Sequence, residues 1–279
     1  QKLSQQQMRL GRYQVLRVLG AGGFGKAVLA RDTQLDRLVA IKIPNPKRFK
    51  NSQTVDSLLT EARMAASLRH DGIVTVFDVG WEGPVPFIVL EYIRGRTLSE
   101  FITKETWSYE FAARMVMEIA RALHHAHGEG FIHRDLKPQN ILLDSEDRPR
   151  ISDFGLAVRY RDLAASDDRI VGTPMYMAPE QAMGENHRID QRTDIWALGV
   201  ILYQLLCRQR PFSGSVMHDV IPSIARADFV PPSEVAPTVP KELERICMRC
   251  MSRRMSLRYR AASELAHDLA VWLHHAGDR

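Results

Sequence analysis

The run "FIHRDLKPQN", Phe131 to Asn140, sets a histidine, an arginine, an aspartate, a lysine and an asparagine close together behind an apolar start. An acid, a base and an amide at that density can act on one substrate. Taken alone, charged residues around a proline form an ordinary loop after a short strand. What changes the reading is the presence of partners elsewhere. Lys42 ends the apolar run "VAIK", and Glu61, in the helical pattern that follows, supplies the counter-charge a lysine on a buried side needs. Such a pair holds an ammonium in place for phosphate oxygens. In "ISDFG", Asp153 follows a short strand with a glycine two residues on, a placement that suits Mg²⁺, which takes one or two carboxylates plus phosphate oxygens.

A fourth partner is "GAGGFGKAV", with Gly20, Gly22 and Gly25 in a GxGxxG pattern. A dinucleotide fold needs those glycines between a strand and a helix. Here the "AVLARD" that follows reads as a strand, so the glycines cap a hairpin whose bare backbone can approach a triphosphate.

The elements that must carry these residues fall into two regions. After a polar, Gln-rich tail (residues 1–11), the runs "YQVLRVLG", "AVLARD" and "RLVAIKI" form an antiparallel β meander. A helix over "TVDSLLTEARMAASLRH" follows, with Thr54 as N-cap, and then two further strands, "GIVTVFDVG" and "PFIVLEYI". Beyond Gly95 long helical patterns take over: "YEFAARMVMEIARALHHAH", "DIWALGVILYQLL", "KELERICMRCM" and "SELAHDLAVWLHH". The three histidines of "LHHAHGEG" lack a carboxylate or thiol at ligand spacing and are expected to be ordinary helix-end residues.

Composition narrows the setting. The net charge of +5 over 279 residues is scattered instead of forming a stripe, so no nucleic-acid partner is expected. The apolar run from Ile195 is too short to cross a bilayer. The three cysteines, Cys207, Cys247 and Cys250, are too few for a disulfide framework; "CMRC" has no second pair to complete a zinc site, and buried thiols are expected. A reducing, cytoplasmic setting with no membrane contact from this segment follows. The absence of an initiating Met is consistent with a domain cut from a longer protein, itself free to be membrane-anchored.

In order and spacing, the glycine loop, the VAIK lysine, the helix glutamate, HRDLxxxN, DFG and APE match the protein-kinase signature. From about Tyr13 to Leu273 the chain resembles a eukaryotic-type (Hanks-type) serine/threonine protein kinase, with "GRTL" and "APEQ" most like bacterial members. The resemblance implies an α+β, bilobal protein-kinase fold over residues 12–279. A small antiparallel β lobe with one major helix (12–90) would join through a hinge (91–95) to a larger, mainly helical lobe (96–279).

It also implies roles. Asp135 would take the proton of the substrate hydroxyl, Lys137 would neutralise the transferring phosphoryl group, and Asn140 and Asp153 would hold Mg²⁺, with Mn²⁺ as an alternative. His133 would pack on Phe154 and not act as a base. Thr173, in "GTPMYMAPE", would bridge to Asp135 and Lys137. ATP would lie against Gly20, Ala21, Gly22, Gly23, Phe24, Gly25 and Lys26, with its adenine between Leu19, Ala27 and Ala40 above and Leu142 below. The hinge backbone would be Glu91 and Ile93 and the gatekeeper Leu90. Ala27 replaces the family's usual valine. Glu180 would pair with Arg258, and Asp194 would brace the catalytic loop, although Arg254-Met255 stands where the family often has Asp-Pro. Arg134 would receive a phosphate on Ser166 of the activation segment, or Asp167 or Asp168 would occupy that pocket. Thr97 and Gln139 stand where arginine-directed members carry acids, so no such preference is implied.

The partners implied are proteins with Ser or Thr acceptors, with transient self-association for autophosphorylation. The rival readings are a pseudokinase scaffold, which would lack one of Lys42, Asp135, Asn140 or Asp153, and a small-molecule phosphotransferase, which would lack "GTPMYMAPE".

Overall fold

A computed structural model describes residues 8–22, 25–45, 65–154, 174–214 and 217–277. The described residues form two compact units: residues up to 69 together with 74–94, and residues 70–73, 95–154 and those beyond 172.

The first unit is a six-stranded antiparallel sheet of β1 (Arg9–Leu10), β2 (Tyr13–Gly22), β3 (Gly25–Asp32), β4 (Arg37–Pro44), β5 (Val76–Glu82) and β6 (Val85–Glu91), in the order β1-β2-β3-β4-β6-β5. The meander expected for the first three runs is present as β2 to β4. The last two strands then enter in exchanged order. Pro86 through Leu90 are buried, which suits β6 to an inner position, whereas β5 exposes Phe77 and Trp81 and takes the edge. The run from Gly72 becomes a strand only at Val76; Ile73 makes an isolated bridge to Ile151 within the second unit.

Because side chains alternate along a strand, the sheet has two distinct faces. Val28, Ala30, Val39, Ile41, Phe87 and Val89 join Leu10 and Tyr13 in the core on one of them. The alternate residues stand on the other, where the register sets Ala27 beside Lys42 and Ile88, and Leu29 beside Ala40 and Leu90.

In the second unit β7 (Arg96–Thr97), β8 (Ile141–Leu143) and β9 (Pro149–Ile151) form a small sheet with β8 central. The helices are α1 (Leu98–Lys104), α2 (Tyr109–Gly128), α3 (Pro179–Ala182), α4 (Gln191–Cys207), α5 (Met217–Arg226), α6 (Pro232–Val235), α7 (Lys241–Cys250) and α8 (Ala262–Gly277). The four long helical patterns of the sequence are α2, α4, α7 and α8. Thr97 starts α1 with a capping box closed by Glu100, and Ser108 caps α2.

Helix α4 is the axis of this unit. Every residue from Thr193 to Tyr203 is buried, so it has no solvent face, and Asp190 caps its first turn. Gly199 lets α7 approach closely, since a Cβ there would lie 2.6 Å from the Cβ of Cys250 and 2.7 Å from the Cγ of Met251. The three cysteines are buried free thiols, as expected; burial pushes Cys207 up to about 11 and raises Cys247 and Cys250 as well, which keeps them unreactive. Among the described residues no helix is long and apolar enough to cross a membrane.

Adding a single methyl group at Gly199 should therefore force α4 and α7 apart. Gly199→Ala is expected to lower stability by about 1–3 kcal/mol in urea unfolding. An unchanged midpoint would contradict the close packing.

Candidate active site

In the second unit the segment from Phe131 to Asn140 leaves α2 and returns to the sheet through a 3-10 turn at Pro138–Asn140. The turn follows from the sequence: Pro138 has no N–H to lose at its first position, and the Asn140 N–H closes it on the Lys137 carbonyl at 2.9 Å. Lys137 Nζ lies 2.8 Å from Asp135 Oδ2. Asn140 Nδ2 donates to the Asp135 carbonyl at 2.9 Å and reaches its Oδ2 at 3.5 Å. The sequence cluster is thus a spatial cluster too.

His133 holds this loop to the strand that leads to Asp153. Its Nε2 donates to the Ser152 carbonyl at 2.8 Å, and its Nδ1 accepts from the Asp135 N–H at 3.3 Å. Both nitrogens are engaged, the residue is fully buried, and its ring meets Phe154 edge-on at 4.9 Å. That geometry fits the packing role expected for His133 and leaves no nitrogen for a substrate. Ser152 adds two further ties, donating from its N–H at 2.8 Å and its hydroxyl at 3.1 Å to the Asn140 carbonyl.

Asp194, in the first turn of α4, is 1 % exposed. Its Oδ2 accepts from the His133 N–H and its Oδ1 from the Arg134 N–H, both at 2.8 Å. A carboxylate offers only acceptors, so His127 Nε2, 2.8 Å from Oδ2, donates a third bond. His127 is a helix-end residue as expected, but it also supports the loop that carries Asp135. The loop needs that support because Arg134 adopts the left-handed conformation, at φ +63°, which is costly for a residue with a side chain; Asp153, beyond β9, does the same at φ +69°.

One residue earlier along α4, Thr193 donates to Glu180 Oε1 at 2.9 Å. Glu180 forms a bidentate pair with Arg258 Nη1 and Nη2, both at 2.9 Å, with the two side chains at most 2 % exposed. This is the ion pair expected from the sequence. Burial pushes the Glu180 carboxyl up, but Arg258 and Thr193 together hold it below the usual carboxylate range. The turn before Arg258 is a 3-10 segment, Met255–Leu257, closed by the Arg258 N–H on the Met255 carbonyl at 3.2 Å.

The first unit carries the other candidate residues. Ala27, Ala40, half-buried Lys42 and Leu90 share the sheet face opposite the core, beyond which β2 brings Leu19, Gly20, Ala21 and Gly22. Gly25, at φ +140°, is demanded by the fold, since a Cβ would sit 2.3 Å from the Ile43 carbonyl oxygen. Gly20 and Gly22 are not, because a Cβ at either would meet nothing within 4 Å among the described residues. The backbone there is bare without any packing need. Lys26 pairs with Ile43 across the hairpin, and Glu91 donates its N–H to the Thr75 carbonyl at 2.9 Å, with Ile93 just beyond β6. Leu142 lies in β8 of the second unit. Gly23, Phe24, Glu61, Thr173, Ser166, Asp167 and Asp168, with most of the helix expected from Thr54, lie outside the described residues.

A family model of the protein kinase domain matches residues 13–270. Serine/threonine-protein kinase PrkC of Bacillus subtilis is 35% identical over 261 residues, 93% of this chain and 40% of its own length. Serine/threonine-protein kinase PknB of Mycolicibacterium smegmatis is 35% identical over 266 residues, 92% of this chain and 42% of its own. The crystal structure of the Mycobacterium tuberculosis PknI kinase domain superposes with a TM-score of 0.76 at 23% identity, covering 95% of this chain and 97% of that one, and so shares the fold. The chain belongs to the protein kinase domain family, as its motifs indicated, and spans about two fifths of the length of the curated relatives it matches.

Removing one partner of the Glu180–Arg258 pair strands a buried charge. Arg258→Met should cost about 3–5 kcal/mol at neutral pH, read from urea unfolding. A carboxyl held low in the folded state stabilises above its unfolded pKa, near ~4.3, and loses that contribution as acid titrates it. The gap between variant and parent should therefore close as pH falls below the ordinary glutamate range. A gap independent of pH would mean the pair does not act through its charge.

Proposed function

We propose that this domain is an ATP-dependent serine/threonine protein kinase, transferring the γ-phosphoryl group of Mg·ATP to Ser or Thr hydroxyls of proteins. The observation that carries this reading is the placement of Asp135. Its carboxylate is 12 % exposed, sits 2.8 Å from an ammonium, and stands on a loop fixed from three sides by buried groups. Asp135 accepts the hydroxyl proton and aims the oxygen, and Lys137 offsets the charge on the transferring group. The second reading of His133, as base, is disfavoured by the engagement of both its nitrogens.

Asn140 and Asp153 are the residues that would hold Mg²⁺, or Mn²⁺ in its place. Asn140 turns its amide nitrogen toward Asp135, so its oxygen is the ligating atom, and an amide oxygen with a carboxylate is a hard donor set of the kind Mg²⁺ takes. When bound, the cation neutralises phosphate charge. In the first unit, the bare backbone at Gly20 and Gly22 and the ammonium of Lys42 suit a polyphosphate, and Ala27, Ala40 and Leu90 offer small or apolar cover for a base. The Glu91 N–H is bonded to Thr75, and the Glu91 carbonyl and the Ile93 backbone would meet the adenine. Thr173 would join Asp135 and Lys137, Glu61 would pair with Lys42, and a phosphate on Ser166 would dock on Arg134. Transient self-association would bring that phosphorylation about.

Phosphoryl transfer from labelled ATP to a generic protein substrate tests the reading. Asp135→Asn should cut turnover by at least ~10²-fold with nucleotide binding largely kept. Lys42→Met should abolish autophosphorylation, and chelation of divalent cations should stop transfer. Full turnover in Asp135→Asn would remove that residue from the role assigned to it, and transfer unaffected by chelation would remove the metal.

A further inference from the structure

Gln181 carries two hydrogen bonds, and the fold of its own helix needs only one of them. It is the third residue of α3, and its Oε1 accepts from the N–H of Ala178, the N-cap residue, at 3.0 Å. That is the ordinary backward reach of a glutamate or glutamine in a capping box. A glutamate would serve it equally and would also favour the positive helix start. The other half of the amide does something a cap does not require: Nε2 donates to the carbonyl of Arg134 at 2.8 Å. The orientation of the amide is unambiguous, since an N–H faces one end and a carbonyl the other.

Arg134 is the residue before Asp135, and it sits at φ +63°. Its peptide groups are held at both ends, the N–H by Asp194 and the carbonyl by Gln181. The arrangement closes a ring. Gln181 is adjacent to Glu180, Glu180 accepts from Thr193, and Thr193 is adjacent to Asp194, which returns to Arg134. The strained turn is therefore clamped between the first turn of α4 and the start of α3.

We propose that Gln181 is a positioning residue, whose Nε2 locks the backbone of Arg134 and through it the carboxylate of Asp135. This rests on the kinase reading for its catalytic consequence, but the clamp itself does not. It explains why an amide, and not a carboxylate, occupies the capping position.

Two variants of the whole 279-residue chain test it. Gln181→Met removes both bonds. Gln181→Glu keeps the cap but sets a carboxylate oxygen against the Arg134 carbonyl, among the charges of Glu180, Arg258, Arg134 and Asp194. Both should lower kcat roughly 10-fold, short of the ~10²-fold that a displacement of about 1 Å can cost, with KM for ATP within about twofold. Between pH 8 and 5 the deficit of Gln181→Glu should shrink, because a protonated carboxyl regains a donor for the carbonyl. The deficit of Gln181→Met should not. Amide hydrogen exchange in the peptide spanning residues 131–140 should be faster in both at neutral pH. The proposal is overturned if both variants keep the parent's kcat, if the loss of kcat is independent of pH in both and follows a lowered unfolding midpoint, or if exchange in that peptide is unchanged. A parent chain with no phosphoryl transfer would instead remove the kinase reading, and the exchange measurement would still decide the clamp.

Discussion

One buried carboxylate organises the second unit. Asp194 takes three hydrogen bonds, from the consecutive backbone N–H groups of His133 and Arg134 and from His127, in a setting with almost no solvent. Two consecutive N–H groups point at this one carboxylate, and the left-handed turn at Arg134 follows immediately on them. A buried acid is costly unless fully bonded, so the loop and the acid stabilise each other or neither is stable. Helix α4 can present the acid there because it is buried on all sides and fixed by Gly199 against α7.

From that anchor the ties run outward in sequence. His133 carries the constraint to Ser152, Ser152 to Asn140, and Asn140 back to Asp135, so the acid, the amide and the strand before Asp153 form one hydrogen-bonded body. Thr193 carries it the other way, to the Glu180–Arg258 pair. The first unit follows a different rule. Its sheet devotes one face to the core, and the alternate positions on the other are left for Lys42 and the small residues around it.

Much of this was legible from the residues. Asp135, Lys137 and Asn140 are neighbours in sequence, so the loop that joins them brings them together in space, and the long helices announced themselves by their apolar period. What escaped was of two kinds. Ser152, Gln181 and the bonding of His127 act on or through backbone groups and a buried carboxylate, and a backbone partner has no residue type by which to be found. The exchange of β5 and β6 escaped because both runs read as strands, and only their contrast in burial, inner against edge, separates them. The single hint available for His127 was its place in the last turn of the helix that feeds the loop.

The central claim is that Asp194 holds the catalytic loop in working form, and Asp194→Asn tests it most directly. The variant keeps one acceptor oxygen for three donors and turns an amide group toward at least one N–H that needs an acceptor. Turnover in phosphoryl transfer should fall by at least ~10²-fold. The affinity for ATP should fall by less than turnover does, because Lys42 and the glycine-bearing strands belong to the other unit. Undiminished turnover, or loss of nucleotide affinity in step with turnover, would contradict the account.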